Sequence, residues 1–220
     1  MGKQQDIVKG DLMKVILKLS IPVIMTNLIQ QLYNLADVYF VGRLGGTQLA
    51  AITFAWPLVF LIISLGAGMS IAGISMVSQS IGRGDKRETK ENSMQLLLLA
   101  GMAGSVIALL GFVFSGNILK LLRVEGLLFQ ESSRYIKWVL LATPATFITL
   151  CHSAIRKAEG NTLKPMTVNL ISVIANVMLN PLFMFYLNMG ITGAGIATAI
   201  ARLVWQPMDW GTEYILYSLW

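Results

Sequence analysis

Charge is scarce in this chain. Only 13% of its 220 residues are Asp, Glu, Lys or Arg, and 55% are hydrophobic, whereas ordinary soluble domains are about 25% charged. Four runs carry no charge at all: Leu44–Gly82, Asn92–Leu119, Trp138–Ile155 and Pro165–Ala201. A membrane span needs about 20 predominantly apolar residues, so the first and last of these runs each have room for a long helix or a pair. Cysteine is nearly absent: Cys151 is the only one, which excludes an intrachain disulfide, and it adjoins the only histidine, His152. In an apolar segment that pair reads as a small buried thiol and a satisfied or interfacial histidine rather than a metal or redox site. No Gly-x-Gly-x-x-Gly or Walker-type loop occurs, so nothing would cradle a nucleotide, and nucleotide-driven pumping would need a partner ATPase. The net charge of +6 forms no basic stripe with interleaved aromatics, which excludes nucleic acid as a partner. A cleavable signal peptide is excluded by Asp6 and Asp11 in the first basic region and by an apolar segment longer than a signal core of about 7–15 residues. Asp6 also stands where N-terminal myristoylation at Gly2 needs Ser or Thr.

What is present is a sequence of six apolar spans, an all-α integral membrane fold: Val15–Val41, Leu49–Ile81, Met94–Leu119, Tyr135–Ile155, Pro165–Leu187 and Ile191–Pro207. Residues 1–14 precede them as an N-terminal segment, 15–207 form one transmembrane lobe, and 208–220 form an atypical tail. Pro57 predicts a tilt, a kink or a partly interfacial start in the long second span. Basic residues set the orientation. Eleven (Lys3, Lys9, Lys14, Lys18; Arg83, Lys86, Arg87, Lys90; Arg156, Lys157, Lys164) fall on the side of the N-terminus, and five (Arg43, Lys120, Arg123, Arg134, Lys137) on the other. The positive-inside bias therefore places the N-terminus in the cytoplasm. Lys120–Lys137, with Glu125 and Glu131 among its bases, reads as an amphipathic external connection near the headgroups. Small residues at Gly66-Ala67-Gly68, Ser70, Gly73, Gly101, Gly104 and Gly193-Ala194-Gly195 predict close helix packing. Gly82, Arg83 and Gly84 read as a capped helix end before a charged turn.

One charged residue interrupts the first span. From Leu19 to Gly42, Asp37 is the only one, and a carboxylate near the bilayer centre costs roughly 2.5–3.5 kcal/mol on insertion scales. Such a residue faces a wet cavity, binds a cation or carries a proton, unless it sits far enough along the helix to be interfacial and solvated. Counted from Val15, Asp37 lies about 33 Å along. Tyr33 and Gln30, four and seven residues earlier, share its face. In the fifth span Asn169, Asn176 and Asn180 stack along one side, and Pro181 frees the carbonyl of Val177. This polar face is either a cation or water site or interhelical hydrogen bonding worth roughly 0.6 kcal/mol per residue. Thr198 in the sixth span could add a hydroxyl or bond only its own backbone.

Several segments are similar to the multidrug and toxic compound extrusion (MATE) transporters: Ala36-Asp37-Val38-Tyr39-Phe40-Val41-Gly42-Arg43-Leu44-Gly45, Gln79-Ser80-Ile81-Gly82-Arg83-Gly84-Asp85, Arg156-Lys157-Ala158-Glu159-Gly160-Asn161-Thr162 with Pro165-Met166, Asn176-Val177-Met178-Leu179-Asn180-Pro181-Leu182-Phe183, and Gly190-Ile191-Thr192-Gly193-Ala194-Gly195-Ile196-Ala197-Thr198. In this order, over Leu12–Arg202, they resemble the N-terminal six-helix lobe of a two-lobe antiporter. The resemblance implies efflux of organic, often cationic compounds in exchange for protons or sodium ions, in the plasma (inner) membrane, with no enzymatic activity and no cofactor. It implies that Asp37 is the first-helix coupling acid, with Asn176, Asn180 and Thr198 as its partners in the lobe, together forming a Na+ or proton site. Two features depart from the family: Asn180 stands where some members have Asp, and no C-terminal lobe is present. The tail after Arg202 reads as a truncation or frame change. The open alternatives are therefore a non-transporting fragment, a homodimer of half-length chains, and a flippase for lipid-linked intermediates. The last would want several cations for phosphates, and within the spans only Lys18, Arg202 and the boundary residue Lys137 are available.

Overall fold

The computed structural model describes residues 12–205. The first eleven residues, Pro207 as the end of the sixth span and the tail 208–220 lie outside the described residues, as do the side chains of Lys18 and Arg202. Among the described residues the chain is six helices: α1 Leu12–Gly42, α2 Gly46–Arg83, α3 Lys86–Leu121, α4 Gly126–Ala158, α5 Leu163–Pro181 and α6 Gly190–Trp205, with a π-helical turn at Leu182–Tyr186 after α5. The segments Gly46–Arg83, Lys86–Leu121, Gly126–Ala158 and Leu163–Tyr186 are each long and apolar enough to cross a membrane, and Gly190–Ala201 is a shorter apolar helix. Connections of a few residues force consecutive helices to run in alternating directions.

The helices overrun the apolar windows at both ends. α3 begins at Lys86, eight residues before the expected Met94, because Asp85 Oδ1 accepts the Glu88 N–H at 2.9 Å and caps two polar turns. The turn before it is closed by Gly84, in the left-handed region at φ 75°, with its N–H on Ile81 O at 3.0 Å. Gly84 is thus the cap, and Gly82 lies inside α2. The expected amphipathic connection Lys120–Lys137 is corrected in the same way. Only four residues separate α3 from α4, turned by Arg123 at φ 55° and Gly126 at φ 62°. From Gly126 onward the segment is helix packed inward: Glu131, Ser132, Tyr135 and Ile136 are buried, and Ser132 Oγ donates to Ala51 O at 3.3 Å.

α4 is the central element, packed against α2, α3 and α6, while α1 packs on α5 and scarcely meets α2. Phe147, Leu140, Ile136 and Cys151 of α4 are fully or almost fully buried, with Val77, Leu119 and Ile191 beside them. Small residues make the close approaches. A methyl group at Gly104 would lie 2.7 Å from Pro144 Cα, and one at Gly193 2.7 Å from Phe183 C. Serine hydroxyls tie helices to carbonyls across the bundle, as Ser70 to Leu150 O at 3.1 Å and Ser172 to Ala201 O at 2.9 Å. The outer faces of α1 and α3 expose Ile24, Leu28, Leu35, Met102, Leu109 and Val113, surface suited to a hydrocarbon solvent. The gap between α1 and α2 is the consequential feature, because it opens a cavity.

Candidate functional site

The cavity holds about 470 Å³ between α1, α2, α4, α5 and α6. α1 supplies polar groups to it at helical spacing: Thr26, Gln30, Tyr33 and Asp37, with Asn27, Gln31 and Asn34 beside them. α2 contributes the aromatic rings of Trp56 and Phe60, and α4 contributes Tyr135, Thr146, Ser153 and Lys157.

Behind Asp37 the wall is a continuous chain of hydrogen bonds. Asn180 Nδ2 donates to Asp37 Oδ1 at 2.6 Å and to Asn176 Oδ1 at 2.9 Å. Asn176 Nδ2 donates to Thr198 Oγ1 at 3.3 Å, and Thr198 Oγ1 is hydrogen-bonded to the Tyr33 hydroxyl at 3.0 Å. Three helices meet in this chain, and all five residues but Tyr33 are buried: Asp37 is 9% exposed, Asn176 1%, Asn180 0% and Thr198 6%. Asp37 lies five residues from the end of α1, yet it is buried against α5 rather than spread into solvent. A carboxylate accepts and does not donate, so the Asn180 amide must turn its nitrogen to Asp37. Its Oδ1 then points elsewhere, and that buried oxygen has no hydrogen-bond partner among the described residues. An unmade bond of this kind costs about 1–3 kcal/mol unless a ligand completes it. One carboxylate and several neutral oxygens form a donor set suited to a hard cation.

The residues read from the sequence are therefore brought together: Asp37, Tyr33, Asn176, Asn180 and Thr198 in one network, with Gln30 on the cavity wall. Asn169 separates from the other asparagines and lines the cavity instead. Pro181 ends α5, and the following N–H, that of Leu182, turns to Leu179 O. Sequence reasoning missed Lys157. The apolar window closed at Ile155 and left it in a connection, but α4 runs to Ala158 and turns Lys157 onto the cavity wall. The supply of cations within the helices is thus larger than Lys18, Arg202 and Lys137. A signal was present: Tyr135, Val139, Ala142, Thr146, Thr149, Ser153 and Lys157 recur at steps of three and four along one face of α4.

A polar cavity held inside a bundle of membrane-crossing helices defines a multi-pass membrane protein of the transport type. The MatE family model matches residues 22–182, and the chain belongs to that family. It corresponds to the N-terminal half of a MATE transporter, and the members of that family are transporters rather than enzymes. It is 24% identical over 197 residues to the multidrug export protein MepA of Staphylococcus haemolyticus, a match covering 89% of this chain and 44% of that protein. It is 25% identical over 188 residues to the probable multidrug resistance protein YoeA of Bacillus subtilis, covering 83% of this chain and 41% of that one. The fold superposes on that of a MOP superfamily transporter from Pyrococcus furiosus with a TM-score of 0.87 and 26% identity, covering 98% of this chain and 46% of the other. The chain thus spans less than half the length of the curated relatives it matches.

Proposed function

We propose that this chain is the N-terminal half of a multidrug efflux antiporter of the plasma (inner) membrane, with its N-terminus in the cytoplasm. It exports small organic, often cationic compounds in exchange for Na+ or protons, and Asp37 is the coupling acid. The observation that carries this reading is the 2.6 Å bond from Asn180 to Asp37 beside the unpartnered Asn180 Oδ1. A cation at this point is substrate rather than resident cofactor. The residues to hold it are Asp37, Asn176, Asn180 and Thr198, with Tyr33 and Gln30 at the edge of the cavity.

Coupling follows from the packing. α1 leans on α5, and the bond between Asp37 and Asn180 crosses that interface. A hydrogen bond to a charged group is worth about 1.5–3 kcal/mol. Neutralising Asp37 with a cation or proton weakens it, loosens α1 from α5 and changes the cavity wall that α1 supplies. Substrate affinity falls and release follows. The membrane potential adds roughly 2.3 kcal/mol per charge per 100 mV. A second six-helix lobe, from the same polypeptide or from a second copy, would close the cavity on its far side.

The test is ethidium accumulation in efflux-deficient bacteria expressing the chain, alone and as Asp37→Asn. Accumulation lowered by the wild type and restored by Asp37→Asn supports the reading. Vector-level accumulation, with the protein present in the membrane, shows a fragment that does not transport.

A further inference from the structure

Asp37 and Lys157 are the two charged side chains on the cavity wall among the described residues. α1 and α4 run in opposite directions, so their C-terminal ends lie at opposite ends of the bundle. Asp37 is five residues from the end of α1 and Lys157 one residue from the end of α4. The two charges therefore mark opposite ends of the cavity. The α4 face that lines it extends from Tyr135 to Lys157, about 33 Å at 1.5 Å per residue, too far for one small molecule to touch both.

Lys157 is partly buried, and its ammonium makes no hydrogen bond or ion pair with the described residues. The nearest acid in sequence is committed elsewhere, since Glu159 Oε2 accepts from Arg156 Nη1 at 3.1 Å. An ammonium group withdrawn from water without a counter-ion is costly, and in a channel for simple organic cations it would also repel the cargo. An oxyanion on the cargo would supply that counter-ion. One turn back, Ser153 supplies a hydroxyl, and across the cavity Asn169 supplies an amide. Leu150, Pro165 and Val168 offer apolar surface near this end to the remainder of an amphiphile.

We propose that Lys157 is a specificity-determining residue that receives an oxyanion on an amphipathic substrate at the end of the cavity opposite Asp37. This rests on the transport reading and extends it: the substrates include zwitterions and acids, and multiply charged cations are disfavoured. A carboxylate on a small organic molecule and a phosphate on a lipid headgroup share the required chemistry.

The experiment uses the full chain in nanodiscs of neutral lipid, with fluorescence polarisation of two xanthene dyes, one bearing a free carboxylate and the other its ethyl ester. The acid is expected to bind about tenfold more tightly than the ester, the scale of one charge-assisted hydrogen bond. Lys157→Met and Lys157→Gln should remove that preference, and Lys157→Arg should keep it. Retained ester binding in these variants shows that the cavity is intact. Adding phosphatidylglycerol to the nanodiscs separates the sources. Competition with the acid dye in the wild type but not in Lys157→Met identifies a headgroup phosphate as an occupant, and no competition leaves the organic carboxylate. An acid preference that survives Lys157→Met, with ester binding still dependent on Asp37, overturns the role of Lys157 and leaves the transport reading standing. Binding of neither dye by the wild type overturns both.

Discussion

Gly193→Ala is expected to destabilise the bundle, while Gly68→Ala, the same chemical change, should not. At Gly193 the added methyl would meet Phe183 C at 2.7 Å, Phe183 O at 2.8 Å and Met184 N at 2.9 Å. These are backbone atoms, so no side chain can swing away, and the contact falls about 0.7 Å short of an ordinary one. α6 must retreat, which stretches the Asn176–Thr198 bond, already 3.3 Å. Overpacking costs about 1–3 kcal/mol and the weakened bond about 1 kcal/mol, while the gain in helix propensity returns about 1 kcal/mol. The net loss of about 1–3 kcal/mol lowers the melting midpoint by roughly 3–10 °C for a chain of this size. At Gly68 nothing lies within 4 Å, so only the propensity gain remains and the midpoint should hold or rise by about 2–4 °C. The assay uses a feature of the fold: Cys151, the sole cysteine, is 0% exposed and reacts with a thiol-activated fluorophore only as the bundle opens. A Gly193→Ala midpoint equal to or above the wild type would refute this packing argument, as would a loss at Gly68→Ala of comparable size.

Other outcomes can be checked by the same melting assay. If Na+ is the coupling ion, replacing K+ by Na+ raises the wild-type midpoint, by an amount equivalent to about 2.7 kcal/mol at a hundredfold excess over the dissociation constant; Asp37→Asn should abolish the rise, and its persistence would place Na+ elsewhere. Asn180→Leu, which strips donors from both Asp37 and Asn176, should cost about 2–4 kcal/mol, and an unshifted midpoint would contradict the network. Asp85→Ala removes the cap on α3 and should cost about 1 kcal/mol, most of it retained by Asp85→Asn. Pro22 interrupts α1, where its carbonyl accepts from Thr26 Oγ1 at 2.8 Å; Pro22→Ala restores a backbone donor and should raise the midpoint, since an interior proline costs about 3 kcal/mol.

Charge depletion made the class of fold legible, and helical spacing made the two polar faces legible. Four-residue steps placed Tyr33 with Asp37 and Asn176 with Asn180. Spacing says nothing of which helix faces which, so the pairing of Asp37 with Asn180 came from family resemblance and is seen directly only in the fold. Helix ends were the weaker part. Hydropathy marks the length that suits hydrocarbon, whereas backbone hydrogen bonding continues wherever a cap allows, as at Asp85. The same difference hid Lys157, whose ammonium lies beyond the apolar window while its backbone is still helical. The inward packing of Glu131 and Ser132 was illegible for another reason: amphipathicity shows that a helix has two faces but not whether the apolar one meets lipid or protein.

The π turn after Asn180 has a consequence for how chain length can vary. Leu187 N–H reaches back five residues to Leu182 O at 2.9 Å, one residue more than an α-helix would need. The segment therefore contains a single surplus residue, looped outward where Tyr186 is 81% exposed, while Met184 within it stays at 2%. Excising Tyr186 would let the turn tighten to ordinary α geometry without moving Asn180 before it. The same excision a few residues earlier, within Asn176–Asn180, would rotate the amides away from Asp37. A one-residue deletion is thus tolerated geometrically at Tyr186 and disruptive in the segment just before it.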